Sequence, residues 1–368
     1  MLRLFLLALA PLMCCAEFRP LFNGRNLEGW VHEGPRMSFS AEKGELVVSG
    51  RGNPPNWLRT AAEYEDFRLR FEYKLEEWAE AGVYLRAPRA GWPSRAGLGL
   101  FLAHDFHREV TKYDTGALTG ALPPVKRPAP SWGVWHSVEI ELVGERLKAK
   151  VDDSVVQDVD LAADAELRQR LKRGYIGFPD SGYGWRLRNI EIEELGSPTK
   201  FLEPFDRRTL NGWRLRNEGM WSVRDGAIYG ANGHGILYAP TPELLNFELT
   251  MLVRSHNQVN SGVFLRGDVE GPRRGFEVQI YSPLDTVFPT GSIYNLARSK
   301  VSAEYDGRWF LMQIRVEGPR CVVRLDGETV AEYERLSGEA LKPGRIGLQI
   351  HREDSAVEFK DLRIRVLP

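Results

Sequence analysis

Residues 276–281, FEVQIY, place Glu277 and Gln279 two positions apart in a run that otherwise reads as an apolar strand. Side chains two apart share one face of a strand. Phe276, Val278 and Ile280 then face one way, and Glu277, Gln279 and Tyr281 the other. That second face is either plain solvent or a site. Polar residues of a similar kind recur on nearby segments. Asn260 precedes and Arg266 ends the run SGVFLR, Tyr294 lies in TGSIYN at 290–295, and Gln349 and His351 alternate in GRIGLQIH at 344–351. Together they supply one carboxylate, one guanidinium, one imidazole, a phenol and three amides. Such a mixture suits convergent hydrogen bonding to a hydroxylated ligand, whereas a solvated face would carry more Lys, Glu and Thr.

The elements that must position these residues occur twice. LFNGRNLEGW at 21–30 returns as PFDRRTLNGW at 204–213, and AGVYLR at 81–86 as SGVFLR at 261–266. TGALTG at 115–120 matches TGSIYN, GVWHSVEIEL at 133–142 matches GRWFLMQIRV at 307–316, and RGYIGF at 173–178 matches GRIGLQ at 344–349. Order preserved over so many segments marks a duplicated domain rather than a solenoid of short repeats. The boundaries are residues 17–195 for the first copy, 196–200 for a linker and 201–368 for the second. Short alternating runs separated by Gly, Pro, Asp and Asn predict an all-β fold, two tandem jelly-roll β-sandwiches. Only 162–174, AADAELRQRLKRG, has helical composition, which predicts a helix inserted in a loop of the first copy.

The duplication also serves as an internal control. Apolar partners persist, as in Val83 with Val263, Leu85 with Leu265 and Ile176 with Ile346. The polar set does not: Gly99 stands opposite Glu277, Phe101 opposite Gln279, Thr119 opposite Tyr294, Glu80 opposite Asn260, Pro179 opposite Gln349 and Ser181 opposite His351. Arg86 and Arg266 are the shared polar pair. The candidate site therefore belongs to the second copy.

Composition narrows the function further. The 368 residues carry a net charge of −1 and 43% hydrophobic residues, with no basic arm, so nucleic acid is not an expected partner. The start, MLRLFLLALAPLMCCAEF, has one Arg before an apolar run and small residues before Glu17. That is a secretory signal peptide over 1–16, too short to span a bilayer, and it predicts a periplasmic or secreted protein with no membrane span after cleavage. Cys14 and Cys15 would leave with the leader; Cys321, in the alternating run CVVRL, reads as a small buried hydrophobe. His104 and His107 in HDFH are three apart, a metal-ligand spacing, but the segment reads as a loop. His234 and His256 fall in runs read as loops that rim the second copy. Trp57, Trp92, Trp132 and Trp185 are either sugar-stacking platforms or plugs for the ends of a sandwich. No phosphate-cradling loop or nucleophile elbow is present.

LNGW, NFEL, NSGVFLR, GFEVQI, TGSIY, Trp309 and GRIGLQIH together resemble the 3-keto-disaccharide hydrolase domain family. The likeness covers nearly all of 201–368 and, more weakly, 18–195. It implies a concanavalin-A-like fold, a 3-keto-glycoside substrate and a secreted or periplasmic setting. Ordinary glycosidases need two carboxylates about 5 to 9.5 Å apart, and FEVQIY offers one. A glycoside oxidised at C3 does not need the pair, because the ketone acidifies the C2 proton and elimination then expels the C1 substituent. That chemistry asks for one base, one oxyanion stabiliser and groups that hold hydroxyls. Glu277 or His351 serves as base, Arg266 as enolate stabiliser and Tyr294 as proton donor to the leaving group. Asn260, Gln279 and Gln349 orient the sugar. No cofactor motif stands out, and a divalent metal joining Glu277 and His351 is left open. The alternatives are a non-catalytic, lectin-like carbohydrate-binding protein and a structural envelope module.

Overall fold

Period-two alternation is realised as strands throughout the computed structural model, which describes residues 17–368 apart from 36, 53–55, 77, 104–108, 129–130, 271–274 and 302–303. The leader and the His104/His107 pair lie outside the described residues. Domain 1 comprises β1 (Arg19–Pro20), β2 (Trp30–Glu33), β3 (Phe39–Glu42), β4 (Glu45–Ser49), β5 (Trp57–Thr60), β6 (Asp66–Leu75), β7 (Glu80–Ala87), the short helix α1 (Pro93–Ala96), β8 (Leu98–Ala103), β9 (His136–Val143), β10 (Arg146–Val151), β11 (Ser154–Asp160), β12 (Tyr175–Pro179) and β13 (Gly184–Gly196). Its two sheets run β11-β10-β9-β6-β13-β4-β3, with β1 beside β13, and β2-β5-β12-β7-β8. In β6, Phe67, Leu69, Phe71, Tyr73 and Leu75 enter the core between the sheets, while Arg68 and Arg70 face out to Glu141 and Glu191.

Domain 2 comprises β14 (Phe201–Leu202), β15 (Arg214–Arg224), β16 (Ala227–Tyr238), β17 (Phe247–His256), β18 (Ser261–Gly267), β19 (Phe276–Ile280), β20 (Phe310–Glu317), β21 (Arg320–Leu325), β22 (Glu328–Tyr333), β23 (Arg345–His351) and β24 (Ala356–Val366). Here the two layers are one continuous sheet, β19-β18-β23-β16-β24-β17-β20-β21-β22. The join is β16, which pairs with β24 through Ile228–Ala231 and with β23 through His234–Tyr238. β15 follows β16 along its length, with a register shift between Gly219 and Met220. Domain 1 splits the same ribbon into β2 and β3, and β4 and β5. Val263, Leu265, Val278, Ile280, Ile346, Leu348 and Ile350 fill the second core together with Cys321, whose thiol is pushed up by burial.

The expected helix over 162–174 is not formed. Two 3-10 turns, Leu161–Ala163 and Leu167–Gln169, stand there instead. Asp160 accepts from the Ala162 amide, and Asp164 from those of Glu166 and Leu167, so short acidic side chains take the donors that a helix would use. Domain 2 has a 3-10 turn, Gly338–Leu341, between the equivalent strands, so the segment is shared rather than inserted. The two sandwiches meet where Ala96 of α1 packs on Leu252 and Leu311. Arg363 makes a two-pronged pair with Glu63 at 2.9 and 2.6 Å across the same seam.

Candidate functional site

The face of β19 that bears Glu277 and Gln279 is not solvent. Glu277, Gln279 and Gln349 are 6%, 5% and 6% exposed, although they point away from the core. Register explains their convergence. One row across the sheet reads Gln279, Gly262, Gln349, Ile236 and Arg216; the next reads Glu277, Phe264, Gly347, Tyr238 and Arg214. The Gln279 amide donates to Asn260 Oδ1 at 3.0 Å. Gln349 Oε1 is buried with no hydrogen-bond partner among the described residues, leaving an acceptor ready for a ligand hydroxyl.

Glycine makes this packing feasible. A Cβ on Gly262 would lie 2.2 Å from Glu277 Oε1 and 2.8 Å from its Cγ, so the carboxylate rests directly on bare backbone. Gly347 likewise leaves room for Ile236 and Tyr238, which with Phe264 form an apolar patch beside the polar one. Gly262→Ala should therefore displace Glu277 with little loss of stability, since a side-chain end can move aside. The expected result is a fall of about 100-fold in turnover with an unchanged fold by circular dichroism. Wild-type turnover in that variant would show that the position of Glu277 is immaterial.

Tyr294 reaches the same face because 290–294 zips along the free edge of β19. Gln279 N donates to Ser292 O at 2.8 Å, Gly291 N to Gln279 O at 2.9 Å and Tyr294 N to Glu277 O at 2.9 Å. Ile293 enters the core opposite Val278, which turns Tyr294 outward beside Glu277, half exposed and edge-on to Phe288 at 5.3 Å. His351 sits one row beyond Gln349. Its amide donates to Asn260 O, and its ring stands edge-on to His234 with centroids 4.6 Å apart. His234 is thus a β16 strand residue, not a loop residue as expected. His256 ends β17 and bonds Glu358 at 2.7 Å; Arg254 joins that carboxylate. Burial alone would raise the Glu358 pKa, but the bonds from Arg254 and His256 hold it below the usual range.

Arg266 does not join this group. Its backbone has φ 54°, and its guanidinium is buried against carbonyl oxygens: Leu245 O at 2.9 and 2.5 Å, Ala340 O at 2.5 Å and Gly318 O at 3.0 Å. Burial draws its pKa down. Arg86 does the same in domain 1, with φ 49° and bonds to Glu65 O, Gly144 O and Asp66. The pair holds strand ends to neighbouring loops, so the enolate-stabilising role expected of Arg266 is withdrawn. Sequence reasoning missed Gly262, Gly347, Tyr238 and Phe264. Their signal was the small-large alternation across neighbouring strands.

In domain 1 the equivalent face is filled. A Cβ on Gly99, opposite Glu277, would lie 2.7 Å from Ser94 Cβ and 2.9 Å from Thr119 Oγ1. Trp57 covers Gly177 and stands edge-on to Tyr84 at 5.6 Å, and burial pushes the Tyr84 phenol up to about 12. Trp185 is buried in the core between the sheets and Trp57 is buried on the outer face, whereas Trp92 and Trp132 are exposed. Among the described residues, no group of three or more His, Cys, Asp or Glu side chains is placed to hold a metal ion, and no helix is long and apolar enough to cross a membrane.

Fold and polar face together define a tandem jelly-roll protein, and comparison with known proteins adds a carbohydrate-related function. The model of the 3-keto-alpha-glucoside-1,2-lyase-like domain matches residues 17–193 and again 200–365, and the chain belongs to that family, with two copies of the domain. Comparison with curated proteins finds no match. Among solved structures, the chain is similar to a provisionally assigned glycosyl hydrolase of Parabacteroides distasonis ATCC 8503, at 19% identity and a TM-score of 0.43, over 49% of this chain and 100% of that one. It is also similar to the carbohydrate-binding module CBM66 of Bacillus subtilis, at 14% identity and 0.32, over 45% and 96%. A Bacillus subtilis protein with a galectin-like fold matches at 12% identity and 0.32, over 42% and 90%.

Proposed function

We propose that domain 2 cleaves 3-keto-glycosides by removing the C2 proton and eliminating the C1 substituent. The observation that carries this reading is the single carboxylate of Glu277, seated on Gly262 between the amide-bearing positions of β19 and β23. In this reading Glu277 takes the C2 proton, and the C–H electron pair passes into an enolate whose charge rests on the C3 oxygen. The enolate then forms the C1–C2 double bond as the C1–O bond breaks, and the aglycone leaves with a proton from Tyr294. Water adding across the double bond returns a free 3-keto sugar. With Arg266 committed elsewhere, the amide of Gln349 is the group nearest in kind to an enolate donor, and Asn260, Gln279 and His351 hold hydroxyls.

The test is turnover of a chromogenic 3-keto-glucoside in D2O. Aglycone release with deuterium at C2 of the product is expected, and His351→Ala, which loses one bond to a hydroxyl, should weaken it about tenfold. Saturable sugar binding without release would mark a lectin-like protein instead. Absence of both would remove the carbohydrate site. On the reading of 1–16 as a leader, we propose that this activity acts in the periplasm or outside the cell. Export in a bacterial host should yield a mature N-terminus near Glu17, and an uncleaved chain would contradict it.

A further inference from the structure

The seam between the domains holds more buried positive charge than it pairs. Arg170, just after the second 3-10 turn of domain 1, and Arg324, on β21, are 6% and 1% exposed. Both reach the same atom, Glu166 Oε1, at 3.0 and 2.9 Å, so two guanidinium groups share one half-exposed carboxylate. Their other bonds go to neutral carbonyls. Arg170 donates to Ser94 O at 2.7 Å and Gly97 O at 3.1 Å, and Arg324 to Arg95 O at 3.2 Å and to Gly327 O. Arg170 Nε, Arg324 Nε and Arg324 Nη1 are buried with no hydrogen-bond partner among the described residues. Other cations on the seam have carboxylates that belong to it: Arg363 and Arg173 share Glu63, Arg365 and Arg315 share Glu248, and Lys172 pairs with Glu145.

Gln313 stands directly across the β20–β21 ladder from Arg324. Its Nε2 donates to Gln169 O at 3.1 Å, across the domain boundary, while its Oε1 is buried without a partner among the described residues. Arg170, Arg324 and Gln313 line one cleft, with Leu171, Leu252 and Leu311 among its walls. Three idle charged donors call for an oxyanion, because a buried cation without a counter-charge costs several kcal/mol. An idle acceptor beside them calls for a hydroxyl, and the leucines for a carbon skeleton. Burial lowers the pKa of both arginines, that of Arg170 to about 10.

We propose that the interdomain cleft binds a small hydroxy-carboxylate of the sugar-acid class, held between Arg170 of domain 1 and Arg324 and Gln313 of domain 2. The cleft lies on the β17-β20-β21 layer, not on the layer that carries Glu277. Calorimetric titration of the intact protein with D-gluconate, acetate and inorganic phosphate tests it. Saturable binding of gluconate is expected, tighter than that of acetate or phosphate. Gln313→Leu and Arg170→Gln should each weaken it about tenfold, the size of one hydrogen bond to a ligand or of one charge-assisted bond. Gln313→Leu keeps an apolar seam and so guards against loss through misfolding, which circular dichroism monitors. Glu277→Gln should leave gluconate binding unchanged, so failure here is separable from failure of the lyase reading. Absence of saturable binding, equal binding of all three anions, or binding indifferent to both cleft variants would overturn the proposal.

Discussion

Replacing Glu277 by glutamine is expected to lower turnover of a 3-keto-glycoside by about 100-fold or more, with little change in melting temperature. The amide keeps the shape that lies on Gly262, so the packing of β18, β19 and β23 persists. What disappears is the capacity to accept a proton from carbon, a step that binding alone cannot replace. In the proposed scheme the loss should fall on kcat rather than KM, because the sugar hydroxyls would still meet Asn260, Gln279 and His351. Steady-state kinetics beside a thermal melt decides the matter. A variant with intact kcat would mean that another group takes the proton.

The second large effect concerns stability. Arg266→Ala removes the donors that serve Leu245 O, Ala340 O and Gly318 O, and leaves those carbonyls short of partners within the fold. Bonds to a charged donor are worth about 1.5–3 kcal/mol each, so a net loss of at least about 3 kcal/mol is expected for the group. For a domain of this size that corresponds to a fall of about 6–12 °C in the melting temperature. Arg86→Ala should act comparably on domain 1, whereas a catalytic arginine would have left the melt untouched. An Arg266→Ala protein that melts like the wild type but loses turnover would restore the role in chemistry that the geometry denies it.

The comparison of these two residues shows what a sequence makes legible. Strand positions, the duplication and the apolar partners followed from period-two alternation, since burial of Val83 and Val263, or of Leu85 and Leu265, is dictated locally by side-chain type. The outward polar group was legible because only the second copy carries it. Arg266 misled because residue type alone suggests chemistry, yet its persistence in the copy that lost every other polar position already pointed to structure. Its left-handed backbone, which aims the side chain at loop carbonyls, is invisible to spacing arguments. The helix expected over 162–174 failed for a related reason: Asp160 and Asp164 divert backbone donors, and Arg170 is drawn to the carbonyls of Ser94 and Gly97 around α1. Gly262 and Gly347 matter for what lies above them, which only the cross-strand register reveals.

A hairpin that is unbroken from one layer to the other works as a splint. With β15 and β16 threaded through both halves of the second sandwich, its layers cannot slide past each other without breaking that ladder. In the first sandwich the same ribbon is split, among the described residues, into β2 with β5 and β3 with β4. β24, which carries the seam residue Arg363, is joined through β16 to β23, which carries Gln349, so a load at the seam would have one laddered route to that strand. Removing domain 1 should therefore be felt at Gln349, on the layer opposite the seam.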